Sequence, residues 1–129
     1  MLQSSTSPEC MVFVVDDDDG VREALELLLQ GEGFAVRTYS SARGVLGETQ
    51  VPNNSCLVTD YHMPGMDGLA LVDALRTRGN SIPAILMTGD LTQRVRDRAA
   101  AAHVPVIAKL TSADGLVERI KEMIKARIN

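Results

Sequence analysis

The sequence predicts an α/β fold in which five strands alternate with five helices in one open, doubly wound parallel sheet. Three observations carry that prediction. Short β-rich apolar runs alternate with longer segments of helical period along all 129 residues. The strongest of these runs are too uniformly apolar for a strand with one wet face, so helices must cover both sides of the sheet. No repeat or low-complexity linker breaks the alternation, which leaves right-handed crossovers from each strand to the next.

The elements follow in order. "MVFVV" (Met11 to Val15) is a strand buried on both faces. Val21, Ala24, Leu25 and Leu28 recur at three- and four-residue steps and mark an amphipathic helix that stops near Gly31 and Gly33. "FAVRTY" (Phe34 to Tyr39) alternates and suits a sheet edge, and a short helix runs from about Ser41 to Leu46. After a loop from Pro52 to Ser55, "CLVTD" (Cys56 to Asp60) is another buried strand, and Leu71, Val72 and Leu75 stripe the helix behind it. "IPAILMT" (Ile82 to Thr88) is the fourth strand, followed by an alanine-rich helix over roughly Leu91 to Ala102. "VPVIAK" (Val104 to Lys109) is the fifth, with Pro105 tolerated at an edge or a strand start. Val117, Ile120 and Ile124 stripe the last helix.

Composition bounds the function. At 45% hydrophobic and 23% charged, the chain is one globular domain, expected over residues 11–129 behind a flexible extension at 1–10. Aromatics at 3% leave a core that is aliphatic and alanine-rich. A net charge of −4 argues against direct nucleic-acid binding or adhesion to an anionic membrane. The polar start "MLQSSTSPEC" has no signal-peptide core and no run approaches a membrane span, so a cytoplasmic protein is expected. Cys10 and Cys56 show no metal-ligand spacing and are expected to be reduced, buried thiols.

Within "FVVDDDDGVREAL" (Phe13 to Leu25) four carboxylates stand side by side. Two like charges ~4 Å apart repel by ~4 kcal/mol at the effective dielectric of a protein surface. Either the positive end of a following helix or a bound divalent cation can offset this. In open parallel sheets ligands bind beyond the carboxyl ends of the strands. The polar residues ending these strands are Asp16 and Asp17 after the first, Asp60 after the third, Thr88 after the fourth and Lys109 after the fifth. Taken singly, each has a plain structural role, and Asp18, Asp19 and Asp67 read as helix caps and first-turn acids. Taken together, three carboxylates, a hydroxyl and an ammonium make a hard-oxygen site for Mg²⁺ with donors for a phosphoryl group.

"VVDDDDGVR", "LVTDYHMPGMDGLAL", "LMTGD" and "VIAKL" occur in the order and spacing of the receiver domain of two-component response regulators, which this chain resembles from about Met11 to Arg127. The resemblance implies a flavodoxin-like three-layer sandwich with strand order 2-1-3-4-5. It implies Asp60 as phosphoacceptor, Asp17 as direct Mg²⁺ ligand, Asp16 as its water-mediated companion and the backbone carbonyl of His62 as a third protein ligand. Thr88 resembles the switch hydroxyl and Lys109 the lysine that pairs with the phosphoryl group. The physical logic agrees, because an anionic nucleophile approaching an anionic donor needs its charge cancelled by a metal, a lysine and a hydroxyl donor.

The chain departs from the family pattern at several places. Val106 stands where an aromatic is frequent, Ala102 where glycine is common, and Leu110 where a proline follows the lysine. The Lys109–Leu110 peptide is therefore expected to be trans. The side chain of His62 is expected either to influence entry of hydrolytic water or to stand by, exposed. The implied function is a Mg²⁺-dependent phosphoacceptor, not an enzyme in its own right. It takes phosphate from a histidine kinase or phosphotransfer protein and switches binding to a downstream partner, with a phosphorylation-dependent homodimer compatible with that role. Two alternatives stay open: a phosphatase of the haloacid dehalogenase type using Asp17 in "DDDGV", and a pseudo-receiver that works without phosphorylation.

Overall fold

The computed structural model describes residues 10–48, 51, 55–89, 91–108 and 113–128, without the side chains of 113, 114, 127 and 128. The strands are β1 (Met11–Val15), β2 (Ala35–Tyr39), β3 (Ser55–Asp60), β4 (Ala84–Thr88) and β5 (Val106–Ala108). The helices are α1 (Asp19–Gly31), α2 (Ala42–Leu46), α3 (Gly68–Thr77), α4 (Gln93–Ala101) and α5 (Ala113–Ile128). All strands pair in parallel in the order β2-β1-β3-β4-β5, as the sequence and its resemblance imply.

Alternation along the strands builds the two outer layers. Phe13 and Val15 of β1 and Leu57 of β3 point to one face, where they pack with Ala42 and Val45 of α2, Leu71, Val72 and Leu75 of α3, and Val95 and Ala99 of α4. Val12, Val14, Cys56 and Val58 point to the other, against Leu29 of α1 and Leu116, Val117, Ile120 and Ile124 of α5. Each fully buried Val, Leu or Ile contributes roughly 1.5–3 kcal/mol relative to exposure. Among the described residues this core is mainly Val, Leu and Ile, with Phe13, Cys56, Tyr61 and Met87 beside them and alanine only at Ala42, Ala84 and Ala99. The expectation of an alanine-rich core is corrected, because Ala100 and Ala101 of α4 face solvent.

Element ends differ from the apolar runs for a common reason. Pro83 and Pro105 lack a donor, so β4 starts at Ala84 and β5 at Val106, while Ile82 and Val104 stay buried outside the strands. Both proline carbonyls still serve the sheet, accepting from Leu57 N at 2.8 Å and Leu86 N at 2.9 Å. Ser55 belongs to β3 rather than to the preceding loop, whose residues 52–54 lie outside the described residues, as do 1–9.

The stripe on α1 also shifts. At about 100° per residue, Val21, Leu25, Leu28 and Leu29 cluster on one side, whereas Ala24 sits at the margin of that arc and is exposed. Leu27 lies nearly opposite and is 72% exposed. Cys10 is half-buried rather than buried. Cys56 is buried, and loss of solvation, with Cys10 nearby, pushes its thiol up to about 12.

The turn before β5 resolves the Ala102 departure. Ala102 caps α4 with an ordinary φ of −89°. The left-handed residue is His103 at φ 57°, the one non-glycine with positive φ among those described. A left-handed conformation costs a residue bearing Cβ about 1 kcal/mol. His103→Gly is therefore expected to raise the melting temperature by about 3–5 °C. A thermal melt showing no increase would contradict that assignment of strain.

Candidate functional site

The sheet's carboxyl edge collects the residues that end its strands. Val15 of β1 pairs with Thr59 of β3, so the next residues along, Asp16 and Asp60, stand side by side. Asp16 is fully buried and its backbone N–H continues the ladder by donating to Tyr39 O at 3.1 Å. Its Oδ1 accepts from Asp18 N at 2.9 Å, which orients the carboxylate at the start of the turn. Asp60 is 4% exposed at the end of β3. Thr88, fully buried, ends β4 one residue beyond the Asp60–Met87 pair.

Carboxylate oxygens of Asp16, Asp17 and Asp60 all lie within 4.8 Å of one another. At that separation each pair repels by about 3–4 kcal/mol at an effective dielectric near 20. Arg22 does not neutralise the cluster directly, since its guanidinium donates to the backbone carbonyl of Asp16 at 2.8 Å and pairs with Asp19. Asp16 and Asp60 are buried while Asp17 is exposed, so the cluster opens to solvent on one side. An all-carboxylate donor set, without thiolate or imidazole, fits a hard divalent cation such as Mg²⁺.

The other acids of the run serve the helix. Asp18 is the N-cap of α1 and accepts from Val21 N at 3.1 Å, and Asp19 is the acid of its first turn. Asp67 caps α3, accepting from Ala70 N at 2.8 Å. Gly68 follows because nothing larger fits: a Cβ there would lie 2.3 Å from the carbonyl oxygen of Asp60.

Of the residues predicted from sequence, Asp16, Asp17 and Asp60 are brought together and Thr88 ends the adjacent strand. Lys109 and Leu110 lie outside the described residues, although Thr88 pairs with Ala108, directly before Lys109. The exposed His62 sets its ring edge-on to Tyr61, with centroids 4.8 Å apart. Sequence reasoning missed the contacts that join Arg98 to Tyr61 and Asp67. Arg98 of α4 donates to Tyr61 Oη at 2.6 Å and to Asp67 Oδ2 at 3.2 Å. Its guanidinium carbon lies 5.6 Å from the Tyr61 ring centroid. Asp67 and the phenol hold the Arg98 pKa above its ordinary value. The pairings span 37 and 31 residues, beyond the reach of any local pattern.

Residues 12–121 match the family model described as the response regulator receiver domain. The chain is similar to the transcriptional regulatory protein FixJ of Azorhizobium caulinodans, at 45% identity over 64% of this chain and 39% of FixJ. It is similar to the DNA-binding transcriptional regulator NtrC of Salmonella typhimurium, at 34% identity over 84% of this chain and 24% of NtrC. The chain thus matches less than half the length of either regulator. Among solved structures, that of FixJ-N superposes with a TM-score of 0.84 at 31% identity, covering 92% of this chain and 96% of that one. The response regulator StyR gives a TM-score of 0.83 at 34% identity, covering 94% of this chain and 62% of StyR. Among the described residues no helix is long and apolar enough to cross a membrane.

Proposed function

The chain belongs to the response regulator receiver domain family of two-component signalling, and on that premise we propose that Asp60 is its phosphoacceptor and residues 11–129 its receiver domain. The observation that carries this reading is the convergence of Asp16, Asp17 and Asp60 oxygens within 4.8 Å at the carboxyl edge of the sheet. Asp60 is the member that terminates the central strand, flanked by β1 on one side and β4 on the other.

In the proposed reaction a carboxylate oxygen of Asp60 attacks the phosphorus of a phosphohistidine on a histidine kinase or phosphotransfer protein. An O–P bond forms as the P–N bond breaks, and the departing imidazole takes up a proton. A Mg²⁺ ion held by Asp16, Asp17, Asp60 and the His62 carbonyl would lower the charge repulsion between nucleophile and donor. Thr88 donates its hydroxyl to one phosphoryl oxygen, and Lys109 balances charge on another. The relatives named as transcriptional regulators support transcriptional control as the downstream process.

Incubation with acetyl phosphate and Mg²⁺, read by intact mass, is expected to add one phosphoryl group, and peptide mapping is expected to place it on Asp60. A phosphoryl group on Asp17 would instead favour a dehalogenase-type phosphatase, and no addition at all a pseudo-receiver.

Asp17→Ala tests the metal site. Removing a carboxylate ligand is expected to weaken Mg²⁺ binding by roughly tenfold or more, by analogy with the 10–100-fold losses seen for supporting residues of metal sites. Asp17 is exposed and outside the core, so the metal-free variant should be no less stable than the parent, with one repelling charge gone. Unchanged affinity in a calorimetric titration would remove Asp17 from the ligand set.

A further inference from the structure

The loop from Tyr61 to Asp67, which joins β3 to α3, is held by few bonds of its own. Tyr61 N donates to Met87 O at 2.8 Å, Met66 N to Pro64 O at 3.1 Å and Gly68 N to Tyr61 O at 3.0 Å. Between its ends the side chains of His62, Met63, Pro64 and Met66 are exposed or only half-buried. Both ends nevertheless converge on one guanidinium of another helix. The same Nη1 of Arg98 donates to the phenol of Tyr61 at 2.6 Å and to the carboxylate of Asp67 at 3.2 Å. Asp67 divides its oxygens, with Oδ1 capping α3 and Oδ2 facing Arg98. Tyr61 is only 8% exposed, so Arg98 also supplies a partner to a phenol largely withdrawn from water.

We propose that Arg98 is a positioning residue for the acidic site, fixing the Tyr61–Asp67 loop against α4 so that the His62 carbonyl and the Asp60 carboxylate are preset for the metal. This rests on the phosphoacceptor reading in that it assigns the metal to this edge. Tyr61 directly follows Asp60, and His62 follows Tyr61, so the anchored Tyr61 sits on the same short stretch of backbone that carries both ligands. Arg98 touches neither ligand. Its effect is to restrict the loop to one arrangement, which lowers the ordering cost of binding. A supporting contact of this kind typically changes metal affinity ~10-fold or more when removed, and a half-buried, two-bond clamp belongs at the low end of that range.

The test compares the parent with Arg98→Ala, Arg98→Lys, Tyr61→Phe and the double variant Arg98→Ala with Tyr61→Phe. Two quantities are measured: the Mg²⁺ dissociation constant by calorimetry, and amide hydrogen exchange in the metal-free chain. Arg98→Ala is expected to weaken Mg²⁺ binding ~10-fold and to speed exchange over residues 61–67 several-fold, leaving β1 and α5 at parental rates. Arg98→Lys keeps the charge opposite Asp67 but not the paired geometry, and should fall between parent and alanine variant. The double variant should be no worse than Arg98→Ala alone, because the phenol acts through the guanidinium. Parental affinity and parental loop exchange in Arg98→Ala overturn the proposal. So does a loss of affinity with exchange accelerated equally throughout the sheet, which marks a general stabilising role. If the parent itself binds no Mg²⁺, the phosphoacceptor reading falls, and the loop-exchange comparison still decides whether Arg98 clamps the loop.

Discussion

Asp60→Asn is expected to take up no phosphoryl group from acetyl phosphate with Mg²⁺, remaining at the level of a control without donor. The substitution keeps the shape of the side chain and replaces its anionic oxygen by an amide that does not form a stable bond to phosphorus. Folding should survive. Asp60 is one of three acids whose oxygens lie within 4.8 Å of one another, and removing one charge relieves repulsion of about 3–4 kcal/mol per pair at an effective dielectric near 20. The melting temperature without metal should therefore be unchanged or raised, which separates a chemical defect from a folding defect. Intact-mass measurement of the variant beside the parent provides the check. Phosphorylation of Asp60→Asn at the parental level would show that another residue carries the group.

Gly68→Ala is expected to be the most damaging single-methyl change near the site. The added Cβ would lie 2.3 Å from the Asp60 carbonyl oxygen, 2.9 Å from Leu86 Cδ1 and 3.1 Å from Thr59 Cγ2. The leucine methyl can rotate away, but the carbonyl belongs to a central strand and cannot. Instead α3 must back away from the sheet, loosening the packing of Leu69, Leu71, Val72 and Leu75, all 5% exposed or less. Overpacking of this kind costs typically 1–3 kcal/mol, a fall of roughly 5–15 °C in melting temperature for a domain of this size. The same displacement pulls on the Tyr61–Asp67 loop that joins β3 to α3 and carries the His62 carbonyl, so Mg²⁺ affinity should fall with stability. A melt within about 2 °C of the parent would mean that α3 accommodates the methyl without the predicted strain.

Much of this architecture is legible in the residues themselves, because its causes are local. Strand identity comes from apolar runs that need cover on both faces, and the metal-binding edge from acids placed directly after those runs. Asp16, Asp17, Asp60 and Thr88 are legible in this way, since a strand that ends at the sheet's carboxyl edge leaves its last or next side chains there. The caps at Asp18 and Asp67 are local too, each side chain bonding a backbone N–H three residues on. Apolar periodicity located α1, but not which margin of its stripe meets the sheet, and so placed Ala24 inward where Leu29 belongs.

What the chain alone did not determine involves partners distant in sequence. Gly68 looks like an ordinary turn glycine until α3 is laid on β3 and the Asp60 carbonyl occupies the place of a Cβ. His103, not Ala102, takes the left-handed turn because the backbone stays right-handed through the cap at Ala102, which moves the turn one residue beyond the expected glycine position. Arg98 reads as one more surface cation on an arginine-rich helix, yet docking α4 beside α3 brings its guanidinium between Tyr61 and Asp67. Periodicity specifies the face a residue occupies on its own element, and caps specify where that element starts. Which side chain lies across from it depends on how neighbouring elements pack, and only the assembled tertiary structure decides that.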